Sequence, residues 1–240
     1  MAQPFCSIHD HEVRGFNLYL PDFVYGGIDG AVTTFAVVAG VAGASLGAGV
    51  VLILGTANLI ADGFSMAVSN YLSVKSEREY YNQLLQTEKK EIKEIPEEER
   101  KEIRIIFQNK GFKGPLLSKV VDTITKNEQV WLDTMMVDEL GLQKDKRSPT
   151  KSALSTFIAF VLMGSIALIP FALLYFLNTA IQNTFLIASI LTLLALFIVG
   201  LIKGRVVKKN LLVAGLETAL LGGIAASLAY GVGYLLALVV

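Results

Sequence analysis

Histidine and cysteine are nearly missing from these 240 residues: His9 and His11 are the only imidazoles, and Cys6 is the only thiol. A lone cysteine excludes an internal disulfide framework. Without histidine beyond residue 11 there is no Glu-x-x-His set of the kind that builds di-iron helical bundles, and no Ser/His/Asp set for nucleophilic catalysis. Net charge is missing as well. Lys and Arg number 21, Asp and Glu number 21, and no basic patch invites nucleic acid. No glycine loop has phosphate-binding spacing, and there is neither an internal repeat nor a low-complexity segment. The opening stretch "MAQPFCSIHDHEVRGFNLYLPD" is polar and acidic rather than a secretory signal, so insertion into a membrane is expected to begin with the first spanning helix itself.

What the chain has in excess is apolar length. Hydrophobic residues make up 53% and charged residues 18%, and the charges are segregated. Residues 75–147 hold 15 Lys and Arg and 15 Asp and Glu, leaving 6 of each for the rest of the chain. That pattern is a membrane protein with one inserted polar domain. Five stretches reach the ~20 apolar residues that a spanning helix needs: about Phe23–Val41, Ala48–Val74, Ser152–Leu177, Thr184–Ile202 and Leu211–Val240. Glycines in and after "GGIDG" and in "LLGG" read as close helix packing, and Pro170 as an accommodated helix kink. Divided accordingly, residues 1–22 are a leader, 23–74 carry two spans, 75–147 are the insert, and 148–240 carry three spans.

Cations set the expected orientation. Arg14, Lys75, Arg78, Arg147, Lys151 and the "KGRVVKKN" connection all fall on one side of a five-span arrangement, whereas the connections at Ser45 and "NTAIQNT" are uncharged. The N-terminus and the insert are therefore expected in the cytosol, at a vacuolar membrane or a prokaryotic cell membrane. The insert reads as helical. "SEREYYNQLLQTEKKEIKEI" prolongs the second span as far as Pro96. "PEEERKEIRIIFQNKG" has a proline start, an acidic first turn and a glycine stop. "GPLLSKVVDTITKNEQVWLDTMMVDELGL" is helical with a break near Asn127 and an end at Gly141.

Three acidic residues fall inside the spans: Asp29, Asp62 and Glu217. A carboxylate at that depth costs at least a few kcal/mol and ordinarily faces a bundle interior or an aqueous path. Asn58, Asp62, Met66 (or Ser65), Ser69 and Ser73 recur at three- to four-residue spacing, giving one polar stripe on an apolar helix. Asp29 and Met66 lie at comparable depth by the 1.5 Å rise, and carboxylate plus thioether favours transition-metal ions over Mg²⁺ and Ca²⁺. The competing readings are helix-end or ion-pair roles for the aspartates and simple packing for Met66. Glu217, two turns past Lys209, is expected to pair or snorkel. In the insert, Glu88/Glu91 and Glu99/Glu102 are i, i+3 pairs, and Met135 and Met136 lie just ahead of Glu139. Together they could form a carboxylate cluster with two sulfurs, although Glu pairs in Lys-rich sequence are more often solvated faces.

"GGIDGAVTTFAVVAG", "GFSMAVSNYLSVKSEREYY" and "WLDTMMVDELGL", in that order and spacing, resemble the vacuolar iron transporter family, and the likeness runs from about Val24 onward. It implies an all-α integral membrane protein: five transmembrane helices with a cytoplasmic helical metal-binding domain inserted between the second and third. It further implies a homodimer that is not an enzyme and that exports Fe²⁺, and often Mn²⁺, from the cytosol by proton antiport. By the same resemblance, Asp29 and Met66 match ligands of the intramembrane pathway at the dimer interface. Glu88, Glu91, Glu99, Glu102, Met135, Met136 and Glu139 match ligands of the cytoplasmic domain. Asn58 stands where a second-helix carboxylate is expected, with Asp62 one turn on as its substitute. A proton-coupled metal exporter is thus the leading expectation, with protons, lipid and divalent ions as partners. The rivals are a membrane-anchored metal sensor or buffer and a ferroxidase, the latter disfavoured by the missing helical histidines.

Overall fold

The computed structural model describes residues 15–177 and 183–239; Cys6, His9, His11 and most of the "NTAIQNT" connection lie outside them. Every regular element described is helical: α1 (Gly15–Gly43), α2 (Ala48–Glu94), α3 (Pro96–Asn109), α4 (Gly114–Thr125), α5 (Glu128–Thr134) running into a π-helical turn (Met135–Glu139), α6 (Pro149–Phe176), α7 (Thr184–Val206) and α8 (Leu211–Ala237). Of these, α1, α2, α6, α7 and α8 are long and apolar enough to cross a membrane, which matches the five expected spans. One boundary differs. α1 starts at Gly15, not near Phe23, and runs straight through Pro21. A proline beside an aspartate reads as a stop, but Leu20 and Asp22 are both buried here, and their packing outweighs the local breaker signal.

The chain forms two compact units, residues 73–146 and the remainder. In the membrane unit α1 is the inner helix, packed against α6, α8 and α7. Half of its spanning window is buried, against 28% for α2 and for α8. The outer helices instead turn large apolar side chains outward, as Leu216, Leu220, Ile224 and Leu228 do on α8. Close approach of α1 to α6 depends on Gly26 and Gly30: a Cβ at Gly26 would lie 2.9 Å from Thr156 Cα, and one at Gly30 2.7 Å from Phe160 Cα. Both neighbours are backbone and have no room to yield. Gly30→Ala is therefore expected to destabilise the protein by roughly 1–3 kcal/mol, read as a lower melting temperature in detergent. Gly231→Ala, whose Cβ would meet nothing within 4 Å, should leave that temperature unchanged.

The insert is built as its punctuation suggests. Pro96 opens α3 with Glu97, Glu98 and Glu99 in its first turn, and Gly111 takes a left-handed φ of 98° just beyond its end. The break falls at Asn127, whose side chain caps α5 by accepting from the Gln129 and Val130 amides. Ile92, Ile103, Leu117, Val121, Ile124, Trp131, Leu132 and Met135 close one apolar core.

Candidate metal-binding clusters

The insert brings its five singled-out glutamates into electrostatic reach of one another. Glu88 on α2 and Glu99 on α3 are buried, 6% and 3% exposed, so the solvated-face reading does not hold for them. Each has a buried Oε2 with no hydrogen-bond partner among the described residues. Surface lysines of the insert pair elsewhere, Lys75 with Glu79, Lys90 with Glu94, Lys89 and Lys93 with Glu128, Lys110 with Asp138. Among the described residues none of Glu88, Glu91, Glu99, Glu102 and Glu139 has a cationic partner within 4.0 Å.

Their titration follows from that environment. Desolvation, then repulsion from Glu102, Glu88, Glu91 and Glu139, pushes the Glu99 carboxyl up to about 7. Glu139 is likewise pushed up to about 7 by desolvation and then by Glu102, Glu88 and Glu91, and it hydrogen-bonds to Glu102. Glu88 is raised by desolvation and by Glu91 and Glu102. These are carboxylates held together against their charge, a state that a divalent cation would relieve.

The sulfurs lie on the π-helical turn. Leu140 donates to the Met135 carbonyl across 3.1 Å, and Leu142 to the Met136 carbonyl across 2.8 Å, with Gly141 at φ 65° ending the helix. Such single-turn bulges within α-helices recur at functional sites. Met135 and Met136 are both fully buried. Met135 belongs to the apolar core, whereas Met136 does not.

In the membrane unit, Asp29 on α1 and Asp62 on α2 are half-buried and near enough for their charges to interact. Met66 is half-buried and packs against the membrane core. Asn58 has a buried side-chain Nδ2 with no partner among the described residues. The stripe departs from its expected course: Ser65, Ser69 and Ser73 are exposed, and the half-buried row continues through Asn70. Both rows, Asn58, Asp62, Met66, Asn70 and Ser65, Ser69, Ser73, have four-residue spacing, so burial and not spacing separates them. Glu217 is exposed and has no ion pair among the described residues, so the expected pairing is not seen there.

Asp22 falls within the expected leader, residues 1–22. The structure instead buries it at 6% exposure, accepting from Asn70 Nδ2 at 3.1 Å and paired with Arg147 Nη1 at 3.4 Å. Among the described residues no group of three or more His, Cys, Asp or Glu is arranged to hold a metal ion.

A model of the VIT family matches residues 20–234. The vacuolar iron transporter of Toxoplasma gondii is 38% identical over 240 residues, covering 96% of this chain and 80% of that protein. Vacuolar iron transporter 1 of Oryza sativa subsp. japonica is 36% identical, with 94% and 89% covered. Vacuolar iron transporter 1 of Arabidopsis thaliana is 37% identical, with 87% and 82% covered.

Proposed function

The chain belongs to the vacuolar iron transporter family, and from that premise we propose that it carries Fe²⁺, with Mn²⁺ as a second cargo, out of the cytosol in exchange for protons, as a homodimer. The carrying observation is the interacting pair Asp29 and Asp62 among apolar helices. A protein that only anchors a metal sensor has no use for two mutually repelling carboxylates there, whereas a path for divalent cations does. Asp29, Asp62 and Met66 are its ligands, and protons move inward along this path as the ion moves outward. Release into a vacuole or to the cell exterior follows if the cation-rich segments and the insert face the cytosol.

The insert acts as the cytosolic capture domain. Glu88, Glu91, Glu99, Glu102 and Glu139 supply the charge, and Met135 and Met136 bias the site toward transition ions. Met136→Leu conserves volume and should leave folding nearly intact. It is expected to weaken Co²⁺ binding while Ca²⁺ binding stays as it was, both read by titration calorimetry. The transport reading itself is tested by Fe²⁺ uptake into proteoliposomes with and without an imposed pH gradient. Uptake that ignores the gradient removes antiport and leaves transport; no uptake, with metal still bound by the protein, favours the sensor.

A further inference from the structure

We propose that Asp22 is an additional ion ligand of the membrane unit, held between ions by the guanidinium of Arg147; the proposal rests on the transport reading above. Asp22 and Asp29 are seven residues apart on α1 and so share a face. Across from them, Asn58, Asp62, Met66 and Asn70 form one row on α2. Two cross-helix approaches relate these rows: the hydrogen bond from Asn70 Nδ2 to Asp22 and the charge interaction of Asp29 with Asp62. They lie seven residues apart on α1 and eight on α2, running in opposite directions, and Met66 falls between them on α2. Oxygen and sulfur donors therefore continue past Asp29 to Asp22.

The state of the Asp22 carboxylate distinguishes a ligand from a structural ion pair. Both of its partners use one oxygen: Asn70 Nδ2 at 3.1 Å and Arg147 Nη1 at 3.4 Å reach Oδ1. Oδ2 is buried and has no partner among the described residues, though a bare buried carboxylate oxygen is costly. Charge-assisted contacts of this type usually close to about 2.7–2.9 Å, and arginine commonly binds a carboxylate through two parallel bonds. Here the guanidinium contact to Asp22 is single and long. The segment carrying Arg147 is fastened independently, since the Ser148 amide donates to Tyr19 Oη at 3.0 Å and Ser155 Oγ donates to the Tyr19 carbonyl at 3.2 Å. A divalent ion can thus take the free Oδ2 and displace the guanidinium without detaching α6 from α1.

The test measures Fe²⁺ uptake by the full chain in proteoliposomes, Co²⁺ binding to the detergent-solubilised protein, and its melting temperature. Asp22→Asn keeps an acceptor for Asn70, and it is expected to raise KM by about tenfold or more and to weaken Co²⁺ binding. Arg147→Gln leaves the carboxylate in place and removes its competitor, so KM should fall. A structural ion pair gives the reverse picture: both substitutions lower the melting temperature together, KM is unchanged in the folded fraction, and the exchange Asp22→Arg with Arg147→Asp restores uptake. Unchanged KM and Co²⁺ binding in Asp22→Asn, or an unchanged or raised KM in Arg147→Gln, overturns the proposal. If the intact protein takes up no Fe²⁺ but Asp22→Asn still weakens Co²⁺ binding, the transport reading fails and the ligand stands.

Discussion

Asp29→Ala is expected to reduce gradient-driven Fe²⁺ uptake into proteoliposomes by at least about 100-fold while leaving the protein as stable as before, or slightly more so. The two halves of this result come from the same geometry. The Asp29 carboxylate makes no hydrogen bond or ion pair among the described residues; only its backbone carbonyl is used, by Thr33 Oγ1 at 2.8 Å. Its resolved interaction is repulsion from Asp62. Truncation therefore removes an unfavourable contact and creates no orphaned partner. A residue kept for stability would show the opposite pairing, a lower melting temperature with residual flux in the folded fraction. Near-normal uptake by Asp29→Ala would remove this aspartate from the path and return the case to a sensor with a membrane anchor.

Much of this architecture is legible in the sequence because the signals are long. Five apolar runs near the bilayer length mark α1, α2, α6, α7 and α8, and Pro96, Gly111, Asn127 and Gly141 punctuate the insert where the helices in fact turn. Short-range signals mislead where tertiary contacts compete with them. Pro21–Asp22 looks like the end of a leader, yet Asn70 and Arg147 draw Asp22 into the bundle and the helix continues through it. On α2 the serines at 69 and 73 and the asparagine at 70 fit a helical stripe almost equally well. Only the position of α1 decides which row faces inward. Likewise, i, i+3 glutamate pairs cannot be told from a solvated face by spacing, since burial of Glu88 and Glu99 depends on where α2 and α3 meet. The π-helical turn at Met135 carries no residue signature at all; what marks it is the hydrogen bond from the Leu140 amide to the Met135 carbonyl, which spans five residues.

The glutamate cluster makes the second large prediction, and it has two opposite signs. With the Glu99 carboxyl raised to about 7 from its ordinary value of 4.5, the folded state prefers the protonated form. Its contribution to stability is present below pH 4.5 and is lost as pH rises through 7. Glu139, also at about 7, acts in the same direction. Metal-free protein should therefore melt higher at pH 5.5 than at pH 8, by about 5 °C or more. Glu99→Gln fixes the neutral form, so it should raise the metal-free melting temperature at pH 8 and flatten that pH dependence. The same substitution removes one of the proposed metal ligands. Co²⁺ should stabilise the unsubstituted protein strongly at pH 8 and weakly at pH 5.5, where protons compete for the same oxygens. It should stabilise Glu99→Gln less at pH 8, with affinity reduced by about tenfold or more. A change that strengthens the empty protein while weakening its metal complex is the signature of charge held in readiness for a cation. If Glu99→Gln instead lowers the metal-free melting temperature at pH 8 and leaves Co²⁺ stabilisation intact, Glu99 is an ordinary structural carboxylate and the capture role passes to the remaining glutamates.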